Sequence, residues 1–179
     1  MVKLYDMEII EVNGNLLDSP CVVLAHQVNC MGVMGSGVAR AIKERWIDVF
    51  LGYLKGIQSL DHNCLGGCLV VQAEEGKYVA NLFGQYYYNG YFKDSGDYLK
   101  QEFWKQPELG EPIRFTNYEA LYKSLKKLKV DMVAYNIPSV AFPYKMGADR
   151  GGGSWEIIRK MIEEIFKDTN IKIEIRKLG

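Results

Sequence analysis

The chain has 179 residues, the length of one domain, and its 48% hydrophobic and 25% charged content is that of a folded globular protein rather than a disordered one. Its 22 basic and 22 acidic side chains cancel, which excludes the basic excess of a general nucleic-acid binder. No apolar run is long enough for a membrane span or a signal peptide, so the expected location is cytoplasmic, with no membrane partner.

In chain order, Met7–Val12 predicts a strand closed by the turn Asn13-Gly14-Asn15. Cys21–Val28 is apolar on both alternating faces until His26, the pattern of a central strand covered by helices on both sides. A glycine-rich loop, Asn29–Gly37, follows. The next helix carries Val38, Ile42, Trp46 and Val49 as one apolar stripe. Cys68–Gln72 and Lys77–Phe83 read as strands joined by a hairpin turn at Glu74-Glu75-Gly76.

From Gln85 to Phe115 no period is visible. The stretch holds Tyr86, Tyr87, Tyr88, Tyr91, Phe92, Tyr98, Phe103 and Trp104. It reads either as a lid or as an aromatic-rich insertion, at about 86–115, with its own small helix at Leu99–Trp104.

Thr116-x-x-Glu119 matches a capping box and opens a helix with Leu121, Leu125, Leu128, Met132 and Tyr135 on one side, ended by Asn136 and Pro138. Its Lys123, Lys126, Lys127 and Lys129 read as a solvated face. Ser139–Phe142 is a short buried strand, and Pro143–Gly153 is a second glycine-rich loop. Ser154 caps a last helix with Trp155, Ile158, Ile162 and Ile165 inward. Ile171–Ile175 alternates like a half-exposed edge strand. Strands and helices in this alternation predict an α/β sandwich.

The cysteines Cys21, Cys30, Cys64 and Cys68 do not form a disulfide framework pattern. His26-x3-Cys30 and Cys64-x3-Cys68 nominally offer zinc ligands, but both spacings miss the CxxC knuckle. They read as small buried hydrophobes, and no metal is expected.

Function is most legible in the two glycine-rich loops. Each follows a buried strand and leads into a helix, where free backbone N–H groups and the positive end of the helix dipole suit an anion. Glycines let the backbone approach phosphate oxygens and expose consecutive N–H groups. Rival motifs fail: Gly35-Ser36-Gly37 lacks the third glycine of GxGxxG, and no Gly-Lys-Ser or Gly-Lys-Thr follows either loop.

The segments Val12-Asn13-Gly14-Asn15-Leu16-Leu17, Ala25–Ala39 (AHQVNCMGVMGSGVA), Asn81-Leu82-Phe83-Gly84-Gln85, Phe142-Pro143-Tyr144-Lys145-Met146-Gly147 and Trp155-Glu156, in that order, resemble the macrodomain family. The look is that of the compact branch containing ADP-ribose 1″-phosphate phosphatases and the terminal ADP-ribose protein glycohydrolase. The resemblance covers nearly the whole chain apart from the aromatic-rich segment. It implies a single macrodomain over 1–179: a three-layer α/β/α fold with a central mixed sheet, ADP-ribose in a cleft at one edge, and no cofactor.

Carried over by position, Asn15 and Leu16 are placed near the adenine, and Asn29, Gly35, Ser36, Gly37 and Val38 near the distal ribose and diphosphate. Lys145, Met146, Gly147, Ala148, Arg150, Gly151 and Gly152 form the second phosphate loop, and Gln85 is placed to hydrogen-bond the ligand. Asn15 stands where the family usually has Asp, so an amide oxygen replaces the carboxylate acceptor.

His26 matches the histidine that the phosphatase relatives use near the terminal phosphate, and imidazole suits general acid–base work because its pKa lies near neutrality. Asp149, the carboxylate of the second loop, is the candidate for orienting water, with Arg150 beside it for phosphate charge. Glycohydrolase relatives use a lysine, through a covalent sugar adduct, and an aspartate. Those positions fall here at or next to Gln85 and at Gly151, so the covalent route is weakened, with Lys145 as the remaining substitute. The leading expectation is therefore a phosphatase acting on ADP-ribose 1″-phosphate, with His26 and Asp149 catalytic. The alternatives are a hydrolase that removes ADP-ribose from a modified protein or nucleic acid, and a non-catalytic ADP-ribose reader.

Overall fold

The computed structural model describes residues 7–88 and 114–179. Its strands are β1 Ile9–Asn13, β2 Val23–Gln27, β3 Cys68–Glu74, β4 Lys77–Leu82, β5 Ser139–Pro143 and β6 Lys172–Lys177. They form one sheet in the order β1-β6-β5-β2-β4-β3, parallel throughout except for the β3–β4 hairpin. The helices are α1 Gly37–Arg45, α2 Ile47–Ser59, α3 Tyr118–Ala134 and α4 Trp155–Phe166.

Side-chain alternation in β2 builds the layers. Val23 and Ala25 join Leu121, Leu125, Ile158 and Ile162 from α3 and α4, while Leu24 points the other way into Ile42 and Val49 from α1 and α2. All of these side chains are fully buried, each larger one contributing about 1.5–3 kcal/mol on leaving water. The result is the expected three-layer α/β/α arrangement around a mixed sheet. Among the described residues no helix is long and apolar enough to cross a membrane.

Several local expectations are corrected. In the stripe, Ile42, Trp46 and Val49 are buried in one cluster with the partly buried Val38 packed against it, as predicted, but the stripe spans two helices and not one. The chain breaks at Trp46 (φ −133°, ψ 82°), whose indole N–H donates to Glu74 at 3.2 Å. The helix that follows, α2, runs on to Ser59.

The cap of α3 is Asn117, which accepts from Ala120 N at 2.9 Å, and not Thr116, whose hydroxyl is used elsewhere. Tyr135 is 78% exposed at the end of α3 and does not join its buried side. β6 is not an edge strand, because β1 pairs outside it. Its alternation has another cause: Glu174 is buried and takes a hydrogen bond from Ser19 at 2.7 Å and an ion pair from Arg176 at 2.9 Å. Burial alone pushes that carboxyl up, but the Ser19 hydrogen bond and the Arg176 and Lys172 charges outweigh it and hold it below its ordinary range. The lid-or-insertion reading and the helix at Leu99–Trp104 lie outside the described residues, save for the segment's ends at 85–88 and 114–115.

Candidate functional site

The two glycine-rich loops leave the sheet side by side, one from β2 and one from β5, which are hydrogen-bonded neighbours. Between them lies a cavity of about 380 Å³ at the carboxyl ends of the parallel strands, the usual place for a ligand in such sheets.

The first loop is held from inside. Asn29, only 6% exposed, accepts through Oδ1 from Met31 N (3.0 Å), Val33 N (3.3 Å) and the Tyr53 hydroxyl (2.8 Å), and donates to Val33 O at 2.8 Å. Its side chain is thus committed to shaping the loop it opens. Tyr53 comes from α2, and burial pushes its phenol well above the ordinary value. The loop delivers Gly35, Ser36, Gly37 and Val38 to the cavity wall at the amino end of α1. Gly37 has φ +56°, a conformation that disfavours any side chain, and a Cβ there would meet nothing within 4 Å.

The second loop is a run of turns. Met146 N donates to Pro143 O at 3.0 Å, Ala148 N to Lys145 O at 2.9 Å and Gly153 N to Gly147 O at 2.9 Å. Met146 is 4% exposed and anchors the loop in the core, although it also touches the cavity. Lys145 (φ +60°), Asp149 and Arg150 are exposed at the mouth, and Gly147 and Gly151 line it. Ala148 and Gly152 are not among the lining residues.

His26 also lines the cavity but is 2% exposed. Asn81 Nδ2 donates to Leu69 O at 3.1 Å, which turns Asn81 Oδ1 toward the ring, so His26 Nε2–H donates to it at 2.8 Å. Nδ1 is then an unprotonated acceptor, buried and without a partner among the described residues. Burial lowers the His26 pKa from its ordinary 6.5 to about 4, against a smaller opposing contribution from Asn81. The expectation of a near-neutral pKa is therefore corrected: the imidazole is neutral at physiological pH.

The remaining expected residues are elsewhere or otherwise engaged. Asn15 caps a 3-10 turn, Leu16–Asp18, by accepting from Leu17 N at 3.0 Å, and Leu16 is buried in the core; neither lines the cavity. Gln85 does line it, but its Oε1 accepts from Gln27 at 2.7 Å and its Nε2 donates to Tyr87 O at 2.8 Å. At Gly151 a Cβ would lie 2.3 Å from Thr116 Oγ1 and 2.6 Å from Gly147 O, so this position has no room for a carboxylate. The four cysteines are free thiols, and His26 is committed to Asn81 rather than to any of them.

Sequence reasoning missed Gln27, Tyr88 and Tyr144, which line the cavity, and Thr116, which braces it. The available signal was Gln27 itself, a second polar side chain after His26 at the end of a strand that leads into a glycine loop.

No family model matches the chain. The DNA ADP-ribosyl glycohydrolase of Thermus aquaticus is 27% identical over 153 residues, which is 86% of this chain but 36% of that protein. The chain thus spans little more than a third of the length of the curated relatives it matches. Among solved structures, a Bacteroides thetaiotaomicron protein of unknown function aligns with a TM-score of 0.77 at 24% identity, over 96% of this chain and 99% of that one. The macrodomain of Mycobacterium tuberculosis DarG aligns with a TM-score of 0.74 at 23% identity, over 97% of this chain and all of that one.

Proposed function

We propose that the chain, which shares the fold of solved macrodomains, is itself a macrodomain that binds ADP-ribose between its two glycine-rich loops and hydrolyses the bond from that ADP-ribose to a modified macromolecule, its curated relatives being DNA ADP-ribosyl glycohydrolases. The observation that carries this reading is the pairing of the loops around one cavity of about 380 Å³, with Asp149 at its mouth. The relatives' activity moves the preference from the phosphatase expectation to its hydrolase alternative.

The diphosphate fits loop amides and the open amino end of α1, where N–H groups converge on negative charge. Lys145 and Arg150 add positive charge at the rim. Direct attack of water on C1″ suits these residues: its oxygen bonds to C1″, the bond to the macromolecule breaks, and the proton passes through Asp149 to the leaving atom. A covalent route through Gln85 has no nucleophile, since a carboxamide nitrogen does not form a Schiff base. Gly151 has no space for the second carboxylate.

The test is to incubate the protein with an oligonucleotide carrying ADP-ribose on a base and, separately, with ADP-ribose 1″-phosphate. Free ADP-ribose from the oligonucleotide is expected. Phosphate release alone would return the phosphatase reading, and ADP-ribose binding without either product would make the protein a reader. No heat of ADP-ribose binding in calorimetry at millimolar ligand would sink all three.

A further inference from the structure

We propose that Gln27 is a positioning residue that sets the second glycine loop against the first, acting through the Thr116 hydroxyl. The inference deepens the reading of the cavity above and rests on it for the identity of the ligand.

Gln27 is the last residue of β2 and stands just before the first loop opens at Asn29. Both hydrogens of its Nε2 are used, one toward Gln85 Oε1 at 2.7 Å and one toward Thr116 Oγ1 at 2.8 Å. The direction of each bond is fixed. Gln85 donates its own amide to Tyr87 O, so the atom facing Gln27 is its oxygen. Thr116 gives its single hydroxyl proton to Gly147 O at 2.6 Å, so toward Gln27 it can only accept. The relay therefore runs one way, from the end of β2 to a carbonyl of the second loop. The main chain supports the same junction, since Phe115 N and Thr116 N donate to Gly151 O at 2.9 and 3.0 Å.

The packing is built around this side chain. A Cβ on Gly84 would lie 2.3 Å from Gln27 Oε1, and one on Gly147 would lie 2.9 Å from it. A Cβ on Gly151 would collide with Thr116 Oγ1. These glycines make room for Gln27 and Thr116 as well as giving an anion access to backbone. Gln27 Oε1 is itself buried without a hydrogen-bond partner among the described residues, a cost that a hydrocarbon of the same shape would avoid. Among uncharged side chains an amide supplies two donors from one nitrogen, here diverging toward Gln85 and Thr116, so the donors are what the position uses. Because amide-to-phosphate contacts act over tenths of an ångström, the register of Gly147 against the first loop decides how well both loops grip one ligand.

Thr116→Val removes the relay hydroxyl with little change of shape, Thr116→Ser retains it, and Gln27→Glu turns the donor into an acceptor. Amide hydrogen exchange of residues 145–153 and the ADP-ribose Kd are measured on the full chain. In Thr116→Val the loop is expected to exchange faster, with β2 and β5 unchanged, and Kd to rise about tenfold, the size of one lost hydrogen bond. Gln27→Glu should do at least as much, and Thr116→Ser should return both readouts to within about threefold of the parent. Unchanged loop exchange in Thr116→Val, faster exchange throughout the sheet, or equal behaviour of the Val and Ser variants would overturn the proposal. If the parent binds no ADP-ribose, the ligand reading falls while loop exchange alone still decides the role of Gln27.

Discussion

His26 in β2 and Asn81 in β4 are direct register partners, and the imidazole Nε2 donates to the Asn81 amide oxygen at 2.8 Å. Burial keeps the ring neutral, and the bond to Asn81, which favours the protonated form, opposes it only in part. In the unfolded chain the ordinary pKa is 6.5, and in the fold it falls to about 4. Above pH 6.5 neither state carries the proton and stability is unaffected. As pH falls from 6.5 toward 4, the unfolded state takes up a proton that the fold refuses, so stability is lost, by roughly 3 kcal/mol in all. Denaturant titrations at pH 7, 6 and 5 should show the decline in the parent and a flatter profile in His26→Gln. Equal slopes would show that His26 is not the group responsible.

Gly37 separates binding from folding. Its φ of +56° strains any replacement by about 1–2 kcal/mol, yet a Cβ there meets no neighbour within 4 Å. Gly37→Leu should therefore stay folded with a Tm lower by a few degrees, while its side chain fills the approach to the amino end of α1. Calorimetry should find ADP-ribose binding abolished. Retained affinity would move the ligand away from this wall.

Gly151→Asp asks whether the glycohydrolase carboxylate can simply be restored. With Thr116 Oγ1 and Gly147 O already at 2.3 and 2.6 Å from the new Cβ, the loop must shift, at a cost of about 1–3 kcal/mol. The variant should be less stable by thermal melting and should release ADP-ribose no faster than the parent. A faster enzyme would mean that the loop yields more easily than its contacts imply.

The layers of the fold were legible in the sequence because burial imposes a period. Ile42, Trp46 and Val49 fell on one face, and β2 was apolar on both sides, whatever the local detail. The break at Trp46 was not legible, since it turns on an indole reaching Glu74 in β3, a contact between residues far apart in the chain. The same is true of β6, whose Glu174 and Arg176 look solvent-facing until Ser19 and β1 are brought beside them. At the site, glycine spacing located both loops. It could not reveal that Gly147 and Gly151 lie against Gln27 and Thr116, nor that Asn29 turns inward to Tyr53.

Asp149 carries the last prediction. It is exposed and lines the cavity, and its backbone carbonyl accepts from Gly152 N at 3.3 Å, so its main chain helps shape the loop. Asp149→Asn keeps that main-chain turn and an acceptor oxygen but cannot take a proton. If the carboxylate accepts the proton of the attacking water, Asn should cut the rate of ADP-ribose release by about 10²–10⁴-fold with little change in ADP-ribose affinity. Asp149→Ala should lose the same rate and some affinity as well, because the loop loses a polar turn residue. Single-turnover release from an ADP-ribosylated oligonucleotide, with Kd measured in parallel, reads both. An Asn variant as fast as the parent would confine Asp149 to holding water in place, and the base would then have to be sought at Lys145 or on the substrate itself.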